Sequence, residues 1–180
     1  MAAIDLIVLG MLKRESLSAY DIQKLVEYRN ISKWVKISTP SIYKKVIQLE
    51  KKGYIKSNPV KEGNMPAKAV YSLTAAGEKE FERLMLDIAS KPIHIFLDFN
   101  AVIVNLASLA PEQQQSCLIE IENNIKTLKS YLNENLLLKE NLPQIPETGL
   151  AVLKQQFILA EAIESWIASL KEALDKEYEK

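Results

Sequence analysis

Residues 38–74 read STPSIYKKVIQLEKKGYIKSNPVKEGNMPAKAVYSLT, and the fold turns on this stretch. It predicts one short basic helix followed by a two-stranded ribbon with a basic tip. Ile42, Val46 and Leu49 fall at i, i+4 and i+7, so they share one face that can pack on a core. Ser41, Lys44, Lys45, Gln48, Lys51 and Lys52 cover the other side. Thr39 before Pro40 is a start signal, because Thr can cap orphan N–H groups and Pro at the first helical position loses nothing. Gly53 closes the helix, since it tolerates the left-handed conformation in which many helices end. Residues 54–60 then read as a strand and 70–73 as its partner. The tip between them holds the turn residues Gly63, Asn64 and Pro66 and the charges Lys61 and Lys68. A helix that is apolar beneath and cationic above, joined to a basic hairpin, suits a DNA groove and its flanking phosphates. The plain alternative is that the lysines only solvate an ordinary helix surface.

Working outward, residues 4–13 (IDLIVLGMLK) are apolar nearly all round, as in a small central helix. Ser18 opens a second helix, with Asp21 three residues on in a capping-box arrangement and Ile22, Leu25 and Val26 as its buried stripe. The connection over 28–37 carries Arg29, Lys33 and Lys36, with Trp34 and Ile37 expected to plug it onto the core. Thr74 caps a helix over 75–90 with Phe81, Leu84, Met85 and Ile88 on one face. Lys91-Pro92 ends it, because the residue before proline is pushed out of helical geometry. Helix, helix, basic helix, hairpin is the order of a winged helix-turn-helix domain.

The remainder reads as all helical. Residues 93–109 form an apolar stretch interrupted by Asp98, Asn100 and Asn105; at about 17 residues it lies at the lower limit for a membrane span and is read as a buried helix. Pro111 starts another helix, in which Leu118, Ile121, Ile125, Leu128 and Leu132 recur with heptad spacing. The segment 141–148 (NLPQIPET) is a linker, and 149–178 is a last long helix with Ile163, Ile167, Leu170 and Leu174 on one face and Trp166 beside it. The fold class is therefore mainly α: a winged helix-turn-helix with a two-stranded wing over 1–90, then a three-helix dimerisation region over 91–180. Leu118, Ile121, Ile125, Leu128, Ile163, Ile167, Leu170 and Leu174 are the candidates for pairing with a second copy.

Charge supports this division. Lys plus Arg and Asp plus Glu both total 23, yet residues 1–80 carry 14 basic against 8 acidic residues and residues 81–180 carry 9 against 15. Such asymmetry points to one half meeting a polyanion, where neutralised phosphates release counterions whatever the global sum. The chemistry of an enzyme is missing. One histidine, His94, and one cysteine, Cys117, allow no disulfide, His-pair metal site or Cys cluster, and the five scattered glycines form no phosphate loop. No cofactor or metal is expected. Residues 1–12 contain Asp5 and lack a cationic start and a small-residue cleavage site, so the expectation is a cytoplasmic protein without a signal peptide or membrane partner.

At SAYDIQK in the second helix, TPSIYKKVIQLEKKGYI through the basic helix and AKAVYSLTAAG into the next helix, the chain resembles the PadR family of winged-helix transcription regulators. Tyr43 and LEKKGYI fill the family's Tyr-containing recognition helix and its Leu-Glu-x-x-Gly-x-Ile phrase; Lys68 and YSLT fill its basic residue before Tyr-x-Leu-Thr. Two positions depart from the common pattern: Ala19 stands where many members have Gly, and Lys44 where many have Pro. The C-terminal half is similar, more loosely, to the helical dimerisation domain of longer, virulence-activator-like members. The resemblance implies a homodimeric DNA-binding regulator.

Ser41, Tyr43, Lys44, Lys45 and Gln48 then sit where side chains reach base edges, Gln favouring adenine and Lys guanine. Lys33, Lys36, Lys61 and Lys68 suit phosphates. Tyr20, Thr39 and Asn64 complete the DNA-facing candidates, although Tyr20 and Tyr43 serve equally well as packing residues. The 93–109 helix carries a polar stripe of His94, Asp98 and Asn105, and His94, Phe96, Asp98 and Phe99, joined by Trp166, are candidates for a small apolar or phenolic effector site; a satisfied polar network or a charge pair across a dimer is the plainer reading. The alternatives are a MarR-like regulator and a winged-helix module that binds protein rather than double-stranded DNA.

Overall fold

The structure is a computed structural model that describes residues 2–38, 40–61, 68–143 and 145–178. Two compact units divide the chain at 94/95. In the first, helix α1 (Ala2–Leu12) is central: Val8 and Leu9 are fully buried, and α3 (Ser41–Lys51) and α4 (Ala75–Ala89) both pack on it. A two-residue strand β1 (Leu17–Ser18) leads into α2 (Ala19–Tyr28). The expected capping box is present: the Ser18 hydroxyl accepts from the Asp21 N–H at 3.2 Å, and the Asp21 carboxylate accepts from the Ser18 N–H at 3.1 Å. Ile22 and Val26 of α2 join Ile42, Val46 and Leu49 of α3 in the core.

The wing is β2 (Ile55–Val60) paired antiparallel with β3 (Lys68–Leu73), Ile55 opposite Leu73 and Val60 opposite Lys68. β1 adds a third strand on the other side of β3, Leu17 opposite Tyr71. The sequence offered no sign of it, since two residues carry no alternation. Trp34 is also placed differently from expectation. It is 39% exposed, and Val35 and Ile37 pack on the core instead. A one-turn 3-10 helix (Ile31–Lys33) entered through left-handed Asn30 sets that register.

The junction between α3, the wing and α4 is unusually tight. Gly53 is left-handed at φ 72°, with its N–H donating to the Glu50 carbonyl and the Tyr54 N–H to that of Leu49, the double closure of a Schellman end. The Tyr54 carbonyl then receives the Thr74 N–H at 3.1 Å, and the Thr74 hydroxyl points between the Gly53 carbonyl at 2.7 Å and that of Tyr54 at 3.0 Å. The same hydroxyl caps α4 by accepting from the Gly77 N–H. A Cβ at residue 77 would lie 2.0 Å from the Tyr54 oxygen, so only glycine fits.

The second unit contains α5 (Asn100–Asn105), a 3-10 turn (Leu106–Ser108), and the long hairpin of α6 (Pro111–Lys139) and α7 (Glu147–Tyr178). The buried helix expected over 93–109 is thus cut to its second half. Residues 92–97 form no regular element, and Ile93 and Phe96 are exposed. Pro92 and the absence of a capping residue account for the late start, since an apolar run alone does not nucleate a helix.

Leu118, Ile121 and Ile167 form the hairpin's core with Leu106, and Leu170 and Leu174 pack against them. Ile125 is buried, Ile163 half-buried and Leu128 exposed. Much of the heptad seam read as a surface for a second copy therefore closes within one chain. Polar ties lock its register: Glu122 accepts from Lys126 and Lys171, each at 2.6 Å, and Lys129 reaches Glu164. The two lysines, Lys126 first, hold the Glu122 carboxyl down at about 2.

Gly77→Ala is expected to lower stability by about 1–3 kcal/mol, the usual cost of overpacking, as measured by urea denaturation. An unchanged midpoint would show that the Thr74–Tyr54 corner can open freely. Glu122, whose folded pKa lies below its ordinary 4.5, stabilises the hairpin above that pH and loses the effect as pH falls toward 2. Thermal midpoints from pH 5 to 2 should fall less steeply for Glu122→Gln than for the parent.

Candidate nucleic-acid interface

The face of α3 opposite the core residues Ile42, Val46 and Leu49 carries Tyr43, Lys44, Ile47, Gln48 and Lys51, all exposed. An α-helix turns about 100° per residue, which sets Lys44 and Lys51 nearly on the outward axis, with Ile47 and Gln48 to either side. Of the expected base readers, Tyr43, Lys44 and Gln48 are therefore available. Ser41 is half-buried and its hydroxyl donates to the Ser38 carbonyl, so its proton is committed to the helix start. Thr39 and Asn64 lie outside the described residues.

Lys45 is the clear exception. Its ammonium lies 2.8 Å from the Asp5 carboxylate of α1, and the two side chains are only 12% and 17% exposed. The residue flanks the buried side of α3, and the pair ties that helix to α1. The sequence pattern counts it with the polar side of the helix, and only the three-dimensional packing brings Asp5 to it.

Glu50 adds a second tie. Its carboxylate accepts the Ser57 N–H at 3.0 Å, joining the end of α3 to strand β2. The helix and the wing are thus coupled by Glu50–Ser57 and by the Tyr54 junction. On the wing, Lys56, Lys61 and Lys68 are exposed. Lys68 stands near Asp21, whose carboxyl is held below the usual range mainly by the Ser18 hydroxyl and backbone, with Lys68 adding to it.

Lys33 and Lys36 are exposed on the α2–α3 connection. At the start of α2, Tyr20 is 57% exposed, and the Lys24 ammonium lies 5.5 Å from the centre of its ring. Lys24 itself is exposed on α2. Here Glu27, first by hydrogen bond and then by charge, raises its pKa, and Tyr20 and Tyr43 add smaller contributions.

The effector candidates are divided. Phe99 and Trp166 stack in the second unit with ring centroids 5.9 Å apart and an interplanar angle of 27°. His94, Phe96 and Asp98 are exposed on the irregular segment and its turn and do not form the buried polar stripe expected of a helix. Among the described residues no His, Cys, Asp and Glu groups could hold a metal ion, and no helix is long and apolar enough to cross a membrane.

The Asp5–Lys45 pair is expected to show a coupling of about 1–3 kcal/mol in a double-mutant cycle of Asp5→Asn and Lys45→Met, as contacting, largely buried partners do. Lys45→Met should leave the salt dependence of DNA binding unchanged, whereas Lys44→Met should reduce it. A reduced salt slope for Lys45→Met would return that residue to the interface.

Residues 8–83 match the model of the transcriptional regulator PadR-like family. Bacillus subtilis PadR in complex with operator DNA shares the fold with a TM-score of 0.79 at 20% identity, over 93% of this chain and 96% of that one. The same regulator in complex with p-coumaric acid gives 0.77 at 21%, over 96% and 95%. The Vibrio cholerae virulence activator AphA gives 0.72 at 19%, over 97% and 99%. At these identities the structural likeness is one of fold. No curated protein matches the sequence. The family and these structural neighbours are transcriptional regulators, not enzymes.

Proposed function

Because residues 8–83 carry a PadR-like transcriptional-regulator domain, we propose that the protein is a homodimeric, sequence-specific DNA-binding regulator that represses from a palindromic operator in the cytoplasm. The observation that carries this reading is the outward face of α3. Tyr43, Lys44, Gln48 and Lys51 project from a helix whose other side is fully committed to the core. In a major groove these side chains meet base edges, while Lys33, Lys36, Lys61 and Lys68 meet phosphates on either side. Tyr20 and Lys24 at the start of α2 take the backbone position that the first helix of a helix-turn-helix occupies.

Two copies read a palindrome when their α3 helices stand about 34 Å apart, one turn of the duplex. Since much of the α6–α7 seam is closed inside the chain, pairing falls to the apolar residues the hairpin leaves uncovered, Leu128, Leu137, Leu138 and Ile158 among them. A phenolic effector fits the Phe99–Trp166 stack, where an aromatic ring can add to two already aligned. Bacillus subtilis PadR in complex with p-coumaric acid supports that class of ligand.

The test is fluorescence anisotropy against the gene's own upstream region, with salt varied. Saturable binding that weakens steeply with salt is expected, and Lys68→Ala should lower the slope by about one phosphate for every sequence tried. Added p-coumaric acid should weaken the same complex. Absence of saturable binding at low salt would leave the protein-binding winged helix as the better reading.

A further inference from the structure

Ile47 is an apolar side chain on the outward α3 surface, where neither ion pairing nor hydrogen bonding uses it. It is 50% exposed in the middle of the helix, one turn from Tyr43 and from Lys51 and three residues from Lys44. Nothing about helix formation calls for it there: a β-branched residue is a poorer helix former than the lysines around it. The side chain has no donor or acceptor, so it cannot read a base edge by hydrogen bonding. In the major groove the apolar landmark is the C5-methyl group, which thymine carries and cytosine lacks. The lysines around it draw that face toward a polyanion, which fits DNA as the occupant rather than an apolar protein surface.

We infer that Ile47 is a specificity-determining residue that reads a thymine methyl at one position of each half-site. The inference rests on the DNA-binding reading above. The contact buries a methyl group against the branched side chain. Cytosine, which lacks the C5-methyl, offers Ile47 no such contact. Tyr43 and Gln48 flank it, so the methyl contact fixes which base step the polar readers address.

The experiment selects the preferred duplex from a random library with the full chain, then replaces each thymine in turn by uracil, which removes only the C5-methyl. For the parent, one thymine per half-site should be sensitive, with binding weakened about fourfold at each, the factor that one CH2 of apolar burial represents. Ile47→Ala should bind the selected duplex but be indifferent to that replacement, while Ile47→Val keeps most of the sensitivity. Replacing the same thymine by cytosine should weaken parent binding, and 5-methylcytosine should restore part of it. Sequence-specific binding by the parent with no uracil-sensitive thymine would overturn the role of Ile47 alone, as would Ile47→Ala retaining the parent's sensitivity. Failure to enrich any sequence would overturn both this inference and the DNA-binding reading.

Discussion

The carbonyl oxygen of Tyr54 holds the DNA-binding unit together. It follows directly on the left-handed glycine that ends α3, opens the first wing strand, and receives the N–H of Thr74, whose hydroxyl is shared between this oxygen and the Gly53 carbonyl where the second strand passes into α4. These adjacent carbonyls thereby fix the relative positions of α3, the wing and α4. The demand is severe enough that residue 77 has no room for a side chain. Glu50 reinforces the arrangement by reaching the wing backbone at Ser57, and Lys45 anchors the helix's flank to α1 through Asp5. The reading face is thus pre-set by backbone geometry and ionic ties before any ligand arrives.

Local chemistry is legible in a sequence where it depends on neighbours a few residues apart. The i, i+4, i+7 spacing of Ile42, Val46 and Leu49 placed the core side of α3, and Ser18 with Asp21 announced a helix start that the structure contains. Gly53 was readable because few other residues end a helix in that conformation. The failures share a different cause. Lys45 differs from Lys44 only in its angle about the helix axis, and its partner Asp5 lies forty residues earlier. Gly77 belonged to a recognisable phrase, but its reason, contact with the Tyr54 oxygen, is tertiary.

The second unit shows what hydrophobic pattern alone leaves undecided. A heptad records that a face is buried without saying whether the covering helix belongs to the same chain. Here α7 covers much of α6, with Leu118, Ile121 and Ile167 at the centre and Lys171–Glu122 and Lys129–Glu164 along the margin. Residues 93–99 show the converse: apolar composition was read as burial, yet Ile93, Ile95 and Phe96 lie exposed. A run of hydrophobic residues with no cap at its start and a proline before it had little to hold it in a helix.

The alternation along α3 has a consequence for how such a protein changes over generations. Positions 42, 46 and 49 are committed to the core and 45 to the α1 anchor, while 43, 44, 47, 48 and 51 face outward. The two sets interleave in the sequence but share no member. A substitution in the outward set alters what the helix presents to a partner and leaves the packing that holds it untouched. Target preference can therefore drift residue by residue across nearly neutral intermediates, without a compensating change in the core. The same separation makes the helix a surface on which new preferences can be selected while the scaffold is held constant.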